Sequence, residues 1–84
     1  MKFMSDEELM EDFLENCCIT GDGLREKSGR LYKAYRAYAA SVGEYARSTK
    51  VFYGALDLNG YKRHRTKKGV FVHGLRLKEA ENNA

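Results

Sequence analysis

No stretch of this 84-residue chain approaches the roughly 20 consecutive apolar residues that a membrane-spanning helix needs. Its opening residues, MKFMSDEELMEDF, lack the apolar centre of a secretory signal. A cytosolic location and no membrane partner are therefore expected. Internal repeats and low-complexity tracts are missing too, which excludes solenoid and linker architectures. Cysteine is limited to Cys17 and Cys18. Adjacent cysteines cannot form an ordinary long-range disulfide with each other, and two neighbouring thiols do not make a metal site. They read as reduced thiols in or near the core. The phosphate-binding pattern GxxxxGK followed by Ser or Thr does not occur, nor does an acidic strand pair suited to metal-dependent nucleotidyl transfer. Cys17, Cys18, His64 and His73 fall at no catalytic spacing. The expectation is a protein that is not an enzyme, with no catalytic, cofactor-binding or metal-binding residues.

What the chain does have is enough material for one small domain, with a buried fraction near the lower limit for a single stable core. Hydrophobic residues make up 43% and charged residues 32%, a balance that suits a globular fold. A single domain over 1–84 is expected, with an ordered core over about 5–78 and a disordered tail at 79–84. The immediate start of a helix after Met1 suits either an excised domain or a small free-standing protein. The net charge of +3 conceals a segregation of sign. Residues 1–26 carry two Lys/Arg against eight Asp/Glu, whereas residues 27–78 carry thirteen against two. A strongly basic second part points to a polyanion partner.

Ser5 followed by Glu8 is a capping-box pattern, and Leu9, Met10, Phe13, Leu14 and Cys17 recur at helical spacing, so a first helix is expected over 6–18. TGDG at 20–23 interrupts it, and Leu24 to Lys27 reads as a brief extended piece. Ser28 is placed to cap a second helix in GRLYKAYRAYAASVG, with Leu31, Ala34, Tyr35, Tyr38 and Val42 as its inner stripe and Gly43 as its stop. The tyrosines read as core and near-core residues with hydroxyls in water. Ser48 or its neighbour caps a third helix over 48–59, whose inner side is Val51, Phe52, Ala55, Leu56 and Leu58 and whose outer side is Lys50, Tyr53, Gly54 and Asp57. Gly54 costs about 1 kcal/mol relative to alanine in mid-helix. That cost suits either close approach to a partner or an ordinary weak position.

After Gly60 the period changes to that of strands. YKRHRT, a KKG turn and VFVHGLRLK form a β-hairpin over 61–77. Its first eight residues, 61–68, hold five Lys/Arg and a histidine. Tyr61, Arg63 and Arg65 share one face, Lys67 and Lys68 occupy the tip, and Gly74 marks a bulge. Helix, extended piece, helix, helix and hairpin is the order of an α+β winged helix, with three helices followed by a two-stranded β-hairpin wing. In such a motif the third helix enters the DNA major groove and the wing lies along the backbone. The DNA-binding residues expected are Arg47, Ser48, Thr49, Lys50 and Tyr53 on the helix, and Arg63, His64, Arg65, Lys67 and Lys68 on the wing.

FLENCC at 13–18, LYKAYRAYAASVGEY at 31–45, the spacing from Phe52 to Leu56 before NGY at 59–61, and the ending HGLRLK resemble the C-terminal domain of phage and plasmid primase-helicases. This family is related to the poxvirus primase-helicase. The resemblance covers roughly residues 9–78 and departs at REKSG. It implies a winged-helix module behind a helicase core, contacting DNA at origins or forks during replication. It further implies a cytoplasmic location in a bacterial host, and as partners the helicase and primase domains of a parent chain or other replication proteins. The alternative from the residues is a protein–protein docking module of a replication complex or helicase ring. That module would use the acidic first helix and the basic wing.

Overall fold

The computed structural model describes residues 5–78. They form helix α1 (Asp6–Cys17), strand β1 (Cys18–Lys27), helices α2 (Ser28–Ser41) and α3 (Thr49–Leu58), and strands β2 (Arg63–Thr66) and β3 (Gly69–Leu77). The class is α+β, with three helices and one antiparallel three-stranded sheet in the order β1-β3-β2. The tail expected at 79–84 lies outside the described residues.

The capping box forms as expected. Ser5 Oγ accepts from the Glu8 amide at 3.1 Å, while the Ser5 amide donates to Glu8 Oε1 at 2.9 Å. Leu9, Met10 and Phe13 then point into the core. Each helix contributes one ring to the centre: Phe13 from α1, Tyr35 from α2 and Phe52 from α3. Tyr35 stacks on Phe52 at 4.5 Å between centroids, and Phe13 meets both edge-on at 5.8 and 6.0 Å. Such pairs contribute about 0.5–1.5 kcal/mol each beyond the area they bury. Val72 and Leu75 close the core from the sheet side.

Both α2 and α3 end in the same device. After α2, Gly43 takes φ 76°, the Glu44 amide donates to the Ala39 carbonyl at 2.8 Å, and the Gly43 amide donates to that of Ala40. After α3, Gly60 takes φ 92°, the Tyr61 amide donates to the Leu56 carbonyl at 2.9 Å, and the Gly60 amide to that of Asp57. These are Schellman closures, which satisfy the last carbonyls and need a residue free of Cβ strain at the left-handed position. The second one turns the chain back along α3 and so sets where the hairpin begins.

Four expectations are corrected. The sheet has three strands rather than a two-stranded hairpin, because the extended piece is the second half of a ten-residue strand that pairs with β3 from Cys18↔Leu77 to Lys27↔Phe71. TGDG bulges from this strand between Thr20 and Arg25 without ending it. Ser28 does not cap α2; Lys27 holds that position with no side-chain bond, and Ser28 is the first helical residue. Val51 and Leu58 do not belong to the inner side of α3. They are 39% and 89% exposed, while Phe52 and Leu56 are fully buried.

Gly74 performs the expected irregularity on β3. Val72 and Leu75 both face the core although they are an odd number of residues apart, which a regular strand forbids. Gly74, at φ 100°, absorbs the change of face.

Candidate nucleic-acid interface

The approach to α3 is fixed by tyrosines of α2. Tyr32 donates its hydroxyl to the Arg47 carbonyl at 2.6 Å, and the Arg47 amide donates to the Tyr35 hydroxyl at 3.0 Å. The segment before α3 is thus held through both backbone groups of one residue, Arg47. Ser48 then caps the helix, its Oγ accepting from the Val51 amide at 3.3 Å. The Tyr32 and Tyr35 hydroxyls thus act as a structural donor and acceptor.

Tyr53 extends the pattern. Its hydroxyl donates to the Ser28 carbonyl at 2.6 Å, tying α3 to the first residue of α2, and its ring lies 4.5 Å below the Arg63 guanidinium. The half-buried Tyr53 is therefore a spacer between helix and hairpin rather than an outward side chain. Beside it, Lys62 Nζ meets Asp57 Oδ1 at 2.9 Å. This pair is exposed, so its worth lies in orientation more than in stability.

Together these contacts frame a cleft of about 380 Å³ between α3 and the start of the hairpin, lined by Lys50, Tyr53, Gly54, Asp57, Tyr61, Lys62 and Arg63. Of the residues expected to bind DNA, Lys50, Tyr53 and Arg63 meet here. Arg65 follows Arg63 by two on the same strand face, and Lys67 and Lys68 form the exposed turn beyond it. Thr66 shapes that turn by accepting from the Lys68 amide at 3.1 Å and donating to the Gly69 carbonyl at 2.9 Å. Arg47, Ser48 and Thr49 sit exposed at the start of α3.

His64 is separated from this group. Strand alternation puts it on the far face of the sheet, where its ring meets His73 edge-on at 4.6 Å. Arg25 lies on that face as well, its guanidinium 4.6 Å from the centroid of Phe71. Sequence reasoning missed Arg25 and Lys27 as partners of this surface because their strand was read as a fragment. Alternation through Leu24, Arg25, Glu26 and Lys27 was the available signal. Glu26 turns inward instead, accepting from the Leu77 amide at 3.0 Å and pairing with Arg30 at 3.3 Å.

A second depression, of about 320 Å³, lies between α1 and α3. Met10, Ala55 and Leu58 line it together with Glu7, Glu11 and Asn59. Cys18 is buried at the end of α1. Burial, reinforced by the neighbouring Cys17 and Glu26, pushes its thiol up to about 12. A buried thiol held in its protonated form is a poor nucleophile at neutral pH. Among the described residues no cluster of His, Cys, Asp or Glu could hold a metal ion, and no helix is long and apolar enough to cross a membrane.

No protein-family model, curated protein or solved structure matches this chain. The likeness to primase-helicase C-terminal domains therefore stands on the residues quoted for it and draws no support from these comparisons.

Proposed function

We propose that the domain is a winged-helix DNA-binding module, with α3 entering the major groove and the hairpin lying along the sugar-phosphate backbone. The observation that carries this reading is the cleft between α3 and β2. It has Lys50 on one wall and Lys62 and Arg63 on the other, and it continues outward into Arg65, Lys67 and Lys68. The element order, helix, strand, two helices and two strands, supports it, as does the run of five Lys/Arg at 61–68. The cations supply affinity without sequence information, and the helix supplies position in the groove. The resemblance of residues 9–78 to primase-helicase C-terminal domains suggests replication as the setting, at an origin or fork and beside helicase and primase domains.

The test is fluorescence anisotropy with labelled duplex, single-stranded and forked DNA across a salt series. With about 4–6 phosphate contacts, log K against log salt should fall with a slope of roughly −4 to −5 on duplex. Arg63→Ala/Arg65→Ala/Lys68→Ala should lose most of that slope while its circular dichroism remains that of a folded chain. A slope near zero for the unaltered protein sinks the proposal.

One observation favours a second reading, docking of another protein. The depression between α1 and α3 has an apolar floor, an almost fully exposed Leu58, and Glu7 and Glu11 at its edge. A basic amphipathic segment would fit that chemistry. Absence of DNA binding at low salt would turn attention there.

A further inference from the structure

The face that α3 turns away from the core carries unusual chemistry for a helix in a major groove. Phe52 and Leu56 point inward, so at 3.6 residues per turn Gly54 points roughly opposite, straight outward. Nothing lies within 4 Å of the position a Cβ would take there. Lys50 and Asp57 flank it on the side of the cleft, and Val51, 39% exposed, flanks it on the other side in the N-terminal half. Leu58 lies one helical turn further on, beside Glu7 and Glu11, where phosphates would be repelled.

The side chains able to read base edges by paired hydrogen bonds are nearly absent from this face. Helix α3, TKVFYGALDL, contains no Arg, Asn or Gln. Asp57 is paired with Lys62, and the Tyr53 hydroxyl is bound to the Ser28 carbonyl. Lys50 is a single point charge in the first turn. The major-groove feature left for an exposed aliphatic side chain beside a bare glycine is the 5-methyl group of thymine.

Resting on the DNA-binding reading above, we infer that α3 recognises thymine methyls through Val51, with Gly54 allowing the helix backbone to approach the bases. The preferred ligand is duplex DNA bearing thymine opposite the N-terminal half of α3. Gly54 removes the side chain that would hold the helix off, and the cations of the cleft and hairpin fix the register from the backbone.

The probe is a set of labelled A·T-rich duplexes of one sequence, made with thymine or with deoxyuridine, which differ only in the methyl groups. The complementary set is a G·C-rich duplex with cytosine or with 5-methylcytosine, which adds methyls at the same edge of the groove. Affinity should fall about fourfold for each contacted methyl removed, the factor equivalent to ~0.8 kcal/mol for a group of CH₂ size. It should rise on the methylated G·C duplex. Val51→Ala, at a site exposed enough to tolerate it, should bind the thymine and deoxyuridine duplexes equally while keeping the salt slope of the parent protein.

Equal binding of both duplexes by the unaltered protein, with a steep salt slope, overturns the inference and leaves DNA binding standing. Failure to bind any duplex at low salt overturns both. A thymine preference that persists unchanged in folded Val51→Ala also overturns the assignment to Val51.

Discussion

The guanidinium of Arg63 lies 4.5 Å from the ring centroid of Tyr53, so that the first residue of β2 caps an aromatic ring on α3. The ring is held from beneath by its hydroxyl, which donates to the Ser28 carbonyl. One side chain thus sets the spacing of three elements, the start of α2, the outward side of α3 and the start of the hairpin. Arg63→Ala should lower stability by about 0.5–1 kcal/mol, the worth of an exposed cation–π contact. Tyr53→Phe keeps the ring beneath Arg63 but removes the donor from the Ser28 carbonyl, at a cost of about 1 kcal/mol. Urea unfolding measures both. Two unchanged midpoints would mean that the hairpin is positioned by the sheet alone.

Local chemistry made much of this arrangement legible in the sequence, and pairing over distance hid the remainder. The capping box at Ser5, the stops at Gly43 and Gly60 and the cap at Ser48 are decided by residues within a turn of one another, so reading along the chain finds them. The partnership of β1 with β3 joins residues about fifty positions apart and is broken in the middle by TGDG, so nothing local marks Cys18–Lys27 as one strand. The same distance concealed the far sheet face of Arg25, Phe71, His64 and His73. On α3, Tyr53 has the helical position of an outward residue, and only the placement of Ser28 and Arg63 makes it a spacer. Val51 and Leu58 failed for a related reason. Periodicity identifies an apolar stripe but not whether another element covers all of it.

Gly74 offers a sharp test of the sheet. Its φ of 100° is one that side chains other than glycine rarely adopt, and a Cβ there would stand 3.0 Å from Cδ1 of Tyr61. Gly74→Ala should therefore destabilise by about 1–3 kcal/mol. It should also disturb Tyr61, one of the cleft residues, through the same contact. Thermal melts give the first effect, and the Tyr61 ring resonances in NMR give the second. A variant as stable as its parent would contradict the change of strand face assigned to this residue.

The buried thiol of Cys18 sets an alkaline limit. Its folded-state pKa is raised to about 12 from an ordinary 9.0, so between these values the folded chain retains a proton that the unfolded chain releases. The contribution to stability is complete below about pH 9 and is lost as the pH climbs toward 12. Tyr38, raised chiefly by desolvation and then by Asp12, adds a trend of the same sign. Urea midpoints should thus fall with pH across this window, and Cys18→Ala should flatten part of the fall while costing some core packing. Maleimide or iodoacetamide at pH 8 should leave Cys18 unmodified until the chain unfolds. Rapid labelling of Cys18 in the folded protein would refute its burial.

Gly54 separates a weak helix position from a functional one, because stability and binding should respond to it in opposite directions. In the middle of α3 glycine costs about 1 kcal/mol relative to alanine, and the space beyond its Cα is open, so Gly54→Ala meets no clash within the domain. The substitution should raise the urea midpoint by an amount equivalent to about 0.5–1 kcal/mol. If the backbone at Gly54 approaches base edges, the added methyl pushes the helix outward, and duplex affinity should fall at least several-fold while the salt slope set by Arg63, Arg65 and Lys68 persists. The two quantities are read on one preparation, by unfolding and by anisotropy. A variant that is more stable and binds as tightly as its parent would reduce Gly54 to an ordinary weak position and leave the groove to be reached by Lys50 and the hairpin.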